Sequence, residues 1–193
     1  LQQEAVRKLR FATARTMSVA QQLYEGIDLG RDGTVGLITY MRTDSVNLAN
    51  EAIDELRELI TQRYGQNKLP ETPNFYKTKS KNAQEAHEAI RPTSALRTPE
   101  SVKAFLTEEQ FKLYELVWKR TVACQMLYAT LDTVSADLNA NAQSFFRATG
   151  STIRDAGFLS VYEEGYDDRE TEKENQLPVL IEGEYVGLRT IQA

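Results

Sequence analysis

The hydrophobic periodicity of the chain changes near Tyr128. Before this residue, apolar side chains recur every three or four positions over long stretches, which is typical of amphipathic helices. After it, short runs of β-branched and aromatic residues alternate with Asn, Gly and acidic turns, a pattern that predicts strands. The 193-residue sequence therefore predicts an α+β fold, with a mainly helical domain at 1–128 and a β segment at 129–193.

Capping residues and spacing predict the individual elements. Thr98, followed by a proline, and Thr107, followed three residues later by Gln110, predict two helix starts. Asn47 is the expected cap of an earlier helix that Gly65 closes. Predicted helices cover 3–25, 52–64, 82–91, 98–106 and 107–126, and predicted strands cover 35–42, 131–138, 144–148, 158–162 and 185–191.

The net charge of −5 is unevenly distributed along the chain. Residues 1–128 carry 18 Lys and Arg against 16 Asp and Glu, a net charge of +2, whereas residues 129–193 carry 5 against 12, a net charge of −7. Much of the excess acidity lies in 163–174, which we predict to be a solvated loop. The overall acidity therefore does not exclude a polyanionic partner for the first 128 residues.

Composition excludes several classes of protein. No uncharged apolar run approaches the length of a transmembrane helix, and the first residues lack a signal peptide, so we predict neither membrane contact nor secretion. A single cysteine, Cys124, and a single histidine, His87, cannot form a disulfide or a usual zinc site. We expect a cytoplasmic protein without a metal site. Because the sequence starts with Leu inside a helical pattern, we also expect a piece of a larger polypeptide.

Tyr40 and Arg42 form the first candidate site. In the predicted strand 35–42, residues two apart share a face, so Ile38, Tyr40 and Arg42 are expected to project together. A protonated phenol is a weak nucleophile, since the free tyrosine side chain has a pKa of about 10. A fixed cation favours the phenolate and stabilises charge that builds on an attacked phosphate. The alternative is a half-buried strand aromatic whose hydroxyl binds a surface partner, and the Tyr-x-Arg pair alone does not decide between them.

Further polar residues follow this pair and recur in a second segment. The polar turn Thr43–Ser45 is able to donate to phosphate oxygens or to orient a neighbouring cation. In the predicted helix 82–91, His87 and Arg91 lie on the polar face, four residues apart, whereas a structural histidine is expected among the apolar positions. The second segment therefore predicts a pair of groups suited to holding a phosphate.

Two longer motifs contain these residues, GLITYMRTDS at Gly36–Ser45 and NAQEAHEAIRPTS at Asn82–Ser94. Together they resemble the bacterial type IA DNA topoisomerase family. LQQEA at the start and LYELVWKRTVACQM at Leu113–Met126 extend the resemblance to essentially the whole chain. The resemblance implies a torus with a gated hole, of which this chain is the helical tyrosine-bearing domain and part of a β-strand hinge domain.

The resemblance also implies a reaction. Tyr40 would attack a backbone phosphate of single-stranded DNA, leaving a 5′-phosphotyrosine bond and a free 3′-hydroxyl. No ATP is expected, because the covalent bond conserves the phosphodiester energy. Arg42 would position and polarise the scissile phosphate, and His87 would contact the phosphate and the neighbouring backbone. The motif positions expected to contact DNA or to orient these catalytic groups are Thr43, Asp44, Ser45 and Arg91.

The acidic Mg²⁺ site of the family and most of its single-strand groove belong to domains without a counterpart here. We therefore expect Mg²⁺ only in the intact enzyme and no relaxation of supercoils by this chain alone. The expected partners are single-stranded DNA, the remaining domains of the same polypeptide, and a second copy through edge pairing. The resemblance also implies a cytoplasmic, nucleoid-associated enzyme without membrane contact. The alternatives are a non-catalytic helical DNA-binding module and a protein-interaction module.

Overall fold

The computed structural model describes residues 1–76, 88–141, 144–162, 177 and 180–187. They divide into two compact units. The first comprises Leu1–Ala129 and the segment that begins at Ala156, and it contains the helices. The second comprises Thr130–Asp155 and the C-terminal end of the chain, and a β-hairpin is its main element. The α+β class predicted from the sequence is confirmed.

Helices dominate the first unit. Its α-helices are α1 (Gln2–Glu4), α2 (Thr13–Glu25), α3 (Asn50–Tyr64), α4 (Pro99–Val102) and α5 (Glu108–Cys124). A π-helical turn at Ala5–Leu9 accompanies them, as do 3-10 turns at Gly30–Asp32, Gln66–Lys68, Lys103–Phe105 and Gly157–Ser160. Two short strands, β1 (Ile27–Asp28) and β2 (Thr34–Val35), pair antiparallel between α2 and α3. Within the described ranges, none of these helices combines the length and apolar character that crossing a bilayer requires.

The helix predicted at 3–25 is wrong as a single element. The chain leaves the helix after the π-helical turn, and Arg10 takes a left-handed conformation with φ 60° and ψ 29°. In a continuous helix, residues two apart do not share a face. The break allows Leu9 and Phe11 both to pack against the core. No glycine or proline lies between 3 and 25 to signal the interruption.

Local capping signals account for the starts of the last two helices. Thr107 forms a capping box with Gln110 at the start of α5, and the Thr98 side chain caps α4, as predicted. The predicted Asn47 cap is wrong, because Ala49 occupies the capping position of α3. No side chain caps this helix, and the N–H of Ala49 donates to a carboxylate from the second sequence motif.

The core of the first unit lies between α2, α3 and α5. Buried side chains on these helices include Val19, Ala20, Leu23, Leu56, Ile60, Leu113, Tyr114, Val117, Trp118 and Val122. The Trp118 indole N–H donates to the Ala95 carbonyl at 2.8 Å. The Tyr114 hydroxyl donates to the Arg97 carbonyl at 2.6 Å. Helix α5 therefore holds the loop that follows the second motif against the core.

The second unit is a hairpin of β3 (Thr130–Asn141) and β4 (Ser144–Asp155). The strands predicted at 131–138 and 144–148 lie within it, but β4 continues well beyond its predicted end because pairing with β3 persists to the base of the hairpin. Of the strand predicted at 185–191, the structure describes residues 185–187, and these are not in a strand. Polar cross-strand pairs on one face join Thr133 to Ser151, Ser135 to Thr149, and Asp137 to Arg147.

The strand predicted at 158–162 is wrong. Gly157–Ser160 forms a 3-10 turn in the first unit, where the Phe158 N–H donates to the Leu127 carbonyl at 2.9 Å. Gly157 has a φ of 47°, and a side chain there would lie 2.5 and 2.6 Å from two backbone carbonyl oxygens. This close approach to the segment that follows α5 turns the chain where the sequence predicts a strand.

The only cysteine of the chain lies in the last turn of α5. The Cys124 thiol donates to the Thr121 carbonyl at 2.9 Å. Burial raises the pKa of this thiol to about 11, from an ordinary value of 9.0, because the thiolate would lose its solvation. The Gln125 side chain and the Arg120 charge act in the opposite direction and compensate only in part.

This raised pKa predicts a loss of stability at alkaline pH. The folded state favours the neutral thiol, so this contribution is complete below about pH 9 and is lost as the pH rises through about 11. Urea unfolding across this range should show the free energy of unfolding falling less steeply in Cys124→Ala than in the unmodified chain. Both proteins retain Tyr114, whose pKa burial also raises, so the difference reports on the thiol together with its smaller charge effect on the Tyr76 hydroxyl. Equal slopes would contradict the prediction.

Candidate active site

The segment that contains Tyr40 lies against the last turn of α2. The Leu37 N–H donates to the Leu23 carbonyl at 2.7 Å. The Cβ atom of a side chain at Gly36 would lie 2.7 Å from the Tyr24 carbonyl oxygen. Cβ atoms in proteins essentially never come so close to another atom. Glycine is therefore required here for the approach of two backbones, and this contact sets where the tyrosine segment begins.

Replacing Gly36 with alanine is expected to lower the free energy of unfolding by about 1–3 kcal/mol, because a rigid backbone oxygen must move. Urea unfolding followed by tryptophan fluorescence measures this change. The matched control is Gly187→Ala, where the added carbon would meet no atom within 4 Å and little change is expected. A Gly36→Ala variant as stable as its control would show that the segment shifts freely.

The strand predicted at 35–42 is wrong over most of its length. β2 ends at Val35, and in the described chain a lone bridge beyond it joins Ile38 to Pro92. Proline has no N–H to donate to a ladder, so regular pairing cannot continue through this position. The tyrosine thus follows an extended segment that is held by scattered contacts instead of by a sheet.

Tyr40 and Arg42 nevertheless lie on the same side of this segment. Tyr40 is 45% exposed and Arg42 is also exposed, whereas Met41 between them is buried. Ile38, which the strand prediction placed on the same face, is buried, and the prediction is wrong at that position. Both Tyr40 and Arg42 line one recess on the surface. A phenol and a guanidinium therefore border the same solvent-accessible space.

The two sequence motifs lie side by side at this point. The Thr39 N–H donates to the Arg91 carbonyl at 2.9 Å. The Thr39 hydroxyl donates to the Ala89 carbonyl at 2.7 Å and accepts from the Arg91 N–H at 3.0 Å. Thr39 directly precedes Tyr40, so the tyrosine is fixed to the second motif through both the backbone and the side chain of its neighbour.

Arg91 is directed inward. Its guanidinium donates to the Glu88 carboxylate and to the Pro92 carbonyl, each at 2.8 Å, and its side chain is 14% exposed. The Arg91 Nε is buried and has no hydrogen-bond partner among the described residues. Glu88 also accepts from the Ala49 N–H at the start of α3, at 2.8 Å. The Glu88–Arg91 pair therefore links the second motif to α3, and little of the guanidinium faces solvent.

The helix predicted at 82–91 is wrong in its described part. Residues 88–91 are not helical, because the Ala89 N–H donates to the Asn47 carbonyl at 2.8 Å and Thr39 binds the same short stretch. The rest of the predicted helix, including His87, lies outside the described residues.

The polar turn after Arg42 uses its hydroxyls internally. The Thr43 hydroxyl accepts from the Ser45 N–H at 3.0 Å, and the Ser45 hydroxyl accepts from the Asn47 N–H at 3.2 Å. Ser45 is only 8% exposed, whereas Asp44 is exposed. Because each hydroxyl accepts this hydrogen bond through its oxygen, its proton remains free to donate. Asp44 is the residue of this turn with the most accessible polar group.

Sequence reasoning missed three residues at this site. Tyr24 packs edge-on against the Tyr40 ring, with centroids 5.4 Å apart and an interplanar angle of 67°. Thr39 and Glu88 join the motifs to each other and to α3, as described above. Tyr24 lies on the apolar stripe of α2, where the spacing predicts a core residue. Its side chain is nevertheless 40% exposed in the structure. Spacing within one segment could not reveal the roles of Thr39 and Glu88, because the hydrogen-bond partners that give them these roles lie in another segment.

The described residues contain no group of three His, Cys, Asp or Glu side chains able to hold a metal ion. Among the described residues around Tyr40, no such set of ligands for a resident Mg²⁺ is assembled. The arrangement on this chain instead offers a phenol, a guanidinium and an exposed carboxylate at Asp44. These groups suit an attack on a phosphate that is held by hydrogen bonds.

Comparison with known proteins identifies the family. A family model for DNA topoisomerase matches residues 1–193. The chain belongs to the DNA topoisomerase family, as its two motifs predict. It is 60% identical to DNA topoisomerase 1 of Xylella fastidiosa (strain Temecula1), across 99% of the chain and 24% of that protein. It is 52% identical to DNA topoisomerase 1 of Rickettsia bellii (strain RML369-C), with the same coverage of both chains.

A solved structure gives the same result for the fold. Full-length topoisomerase I from Thermotoga maritima superposes with a TM-score of 0.72 at 37% identity, covering 86% of this chain and 26% of that one. The chain thus spans about a quarter of the length of the relatives that it matches.

Proposed function

We propose that this chain is the tyrosine-bearing part of a type IA DNA topoisomerase. The whole protein would cleave and religate one DNA strand through a 5′-phosphotyrosine intermediate and pass another strand through the break, relaxing negative supercoils. The observation that carries the proposal is the shared recess of Tyr40 and Arg42, at the place where the two motifs are hydrogen-bonded. Membership of the family supports it. The chain alone is expected to be inactive, because the rest of the polypeptide supplies further parts of the site.

In the proposed cleavage step, the Tyr40 oxygen attacks the phosphorus and the bond to the 3′ oxygen breaks. The phenol loses its proton and the departing 3′ oxygen gains one, so one phosphodiester is exchanged for another. Religation is the reverse step, and no ATP is required. Arg42 donates two parallel hydrogen bonds to the non-bridging oxygens and stabilises the charge that builds on them.

The remaining motif residues have supporting roles in this proposal. His87 contacts the phosphate and the adjacent backbone, and Asp44 orients Arg42 from its exposed position. The Thr43 and Ser45 hydroxyls keep a proton to donate. We assign Arg91 a positioning role, since its guanidinium is engaged by Glu88 and the Pro92 carbonyl.

The proposed partners are single-stranded DNA and the remaining domains of the same polypeptide. Those domains would hold the Mg²⁺ of the family, and no step on this chain is assigned to a metal. A second copy of the chain remains a proposed partner through the exposed edges of the β3–β4 hairpin. The proposed location is the cytoplasm, in association with the nucleoid.

The test uses the full-length polypeptide and a single-stranded oligonucleotide labelled at either its 3′ or its 5′ end. After denaturation, the 3′ label is expected to stay attached to protein and the 5′ label is not, since a 5′-phosphotyrosine retains the 3′ portion. Binding without attachment of either label would instead support a non-catalytic DNA-binding module. Absence of salt-dependent binding would support a protein-interaction module.

Thr39→Val is expected to slow cleavage by about tenfold, because both hydroxyl bonds to the second motif are lost next to the nucleophile. Single-turnover formation of the covalent adduct measures the rate, and equilibrium binding measures the affinity for DNA, which should change little. Thr39→Ser keeps the hydroxyl and is expected to restore most of the rate. If valine and serine behave alike, the hydroxyl does not position the tyrosine.

A further inference from the structure

The recess beside Tyr40 and Arg42 is formed by one face of α2. Its lining residues on that helix are Ala14, Met17, Ser18 and Gln21. Their spacing of three, four and seven residues places them on one side of the helix. The recess has a volume of about 590 Å³ and is widely open to solvent.

The lining of this recess suits a nucleoside. Ala14 and Met17 provide an apolar surface for the face of a base. The Ser18 hydroxyl has no hydrogen-bond partner in the described part of the chain, and the Gln21 amide donates to Glu25 while its oxygen remains free to accept. No carboxylate is among the described lining residues, and Arg42 contributes a positive charge at the edge. The recess therefore combines stacking, hydrogen bonding and phosphate recognition.

We propose that this recess binds the nucleotide on the 3′ side of the scissile phosphate and thereby contributes to the choice of cleavage site. The inference rests on the proposed function, because a 5′-phosphotyrosine leaves that nucleotide attached to Tyr40. Since Tyr40 lines the recess, the attached nucleotide lies next to the α2 face.

Attachment makes weak contacts effective. A group held by a covalent link meets its site at an effective concentration in the millimolar range, so no high intrinsic affinity is needed. Contacts with the sugar and base would keep the phosphotyrosine aligned while the 3′-hydroxyl end moves away. The recess would therefore favour the adduct for bases that it accommodates well.

The experiment measures the equilibrium amount of covalent adduct formed by the full-length polypeptide on single-stranded oligonucleotides with one mapped cleavage position. The nucleotide 3′ of that position carries each of the four bases in turn, or no base. We expect about fivefold less adduct when the base is absent. Ser18→Leu removes the hydroxyl and places a bulkier side chain on the recess floor, and it should reduce this difference to less than about twofold. Gln21→Leu should change the order of preference among the four bases.

The matched control is Gln62→Leu on α3. The Gln62 amide donates to Glu58, four residues earlier, at 2.9 Å, whereas the Gln21 amide donates to Glu25, four residues later. This variant should behave as the unmodified protein. Circular dichroism verifies that each variant is folded. An adduct that is indifferent to the missing base, or a Ser18→Leu variant that keeps the full difference, would overturn the inference. Absence of adduct on every oligonucleotide would instead overturn the proposed function.

Discussion

Replacing Tyr40 with phenylalanine in the full-length polypeptide is expected to abolish covalent attachment to DNA and to leave the affinity for single-stranded DNA nearly unchanged. The substitution removes the attacking oxygen but keeps the ring, and with it the edge-on contact with Tyr24. The loss of cleavage is complete because phenylalanine offers no nucleophile. Denaturing electrophoresis of labelled oligonucleotide measures attachment, and equilibrium binding measures affinity.

Tyr24→Phe is the informative comparison for this prediction. Tyr24 is 40% exposed, and its ring lies 5.4 Å from that of Tyr40, so its hydroxyl is the nearest competing phenol described. The Tyr24→Phe protein should still form the adduct. Attachment that survives Tyr40→Phe but is lost in Tyr24→Phe would assign the nucleophile to Tyr24 and refute the mechanism proposed here.

Arg42→Ala is expected to slow cleavage by about 10²–10³-fold while weakening DNA binding much less. The reason is that the guanidinium borders the same recess as the Tyr40 phenol, where charge would build on the attacked phosphate. Single-turnover cleavage at saturating DNA separates the chemical step from binding. Arg42→Lys keeps the charge but loses the planar fork, so partial recovery is expected.

The control for Arg42 is Arg31→Ala, which removes one exposed arginine from the 3-10 turn before β2. This change should weaken DNA binding by about as little as Arg42→Ala does, and it should leave the cleavage rate of bound DNA unaffected. Equal losses of binding and cleavage in Arg42→Ala would show that Arg42 only attracts the DNA.

The sequence allowed correct prediction where the determinants are local. The capping box of Thr107 and Gln110 needs only two residues three apart, and the structure confirms it. The break at Arg10 depends instead on Leu9 and Phe11 both reaching the core. No helix-breaking residue marks that requirement in the sequence, and so it could not be predicted.

The candidate site shows the same division. The alternation of a strand predicts that Tyr40 and Arg42 face one side, and they do line one recess, although the chain bends between them and Ile38 does not share their exposure. The bond from the Thr39 hydroxyl to the Ala89 carbonyl joins residues 50 positions apart. The inward direction of Arg91 depends on its pairing with Glu88. Such contacts are set by tertiary packing, which local spacing does not specify.

The buried indole of Trp118 makes the first unit observable separately from the rest of the chain. It is the only tryptophan in the sequence, and its N–H is bound to the Ala95 carbonyl beside the second motif. The β3–β4 hairpin has none. Emission excited selectively in the indole band therefore reports on the packing that holds the loop after the second motif. In this chain, its wavelength therefore distinguishes substitutions at Tyr40 that leave the scaffold intact from substitutions that loosen it.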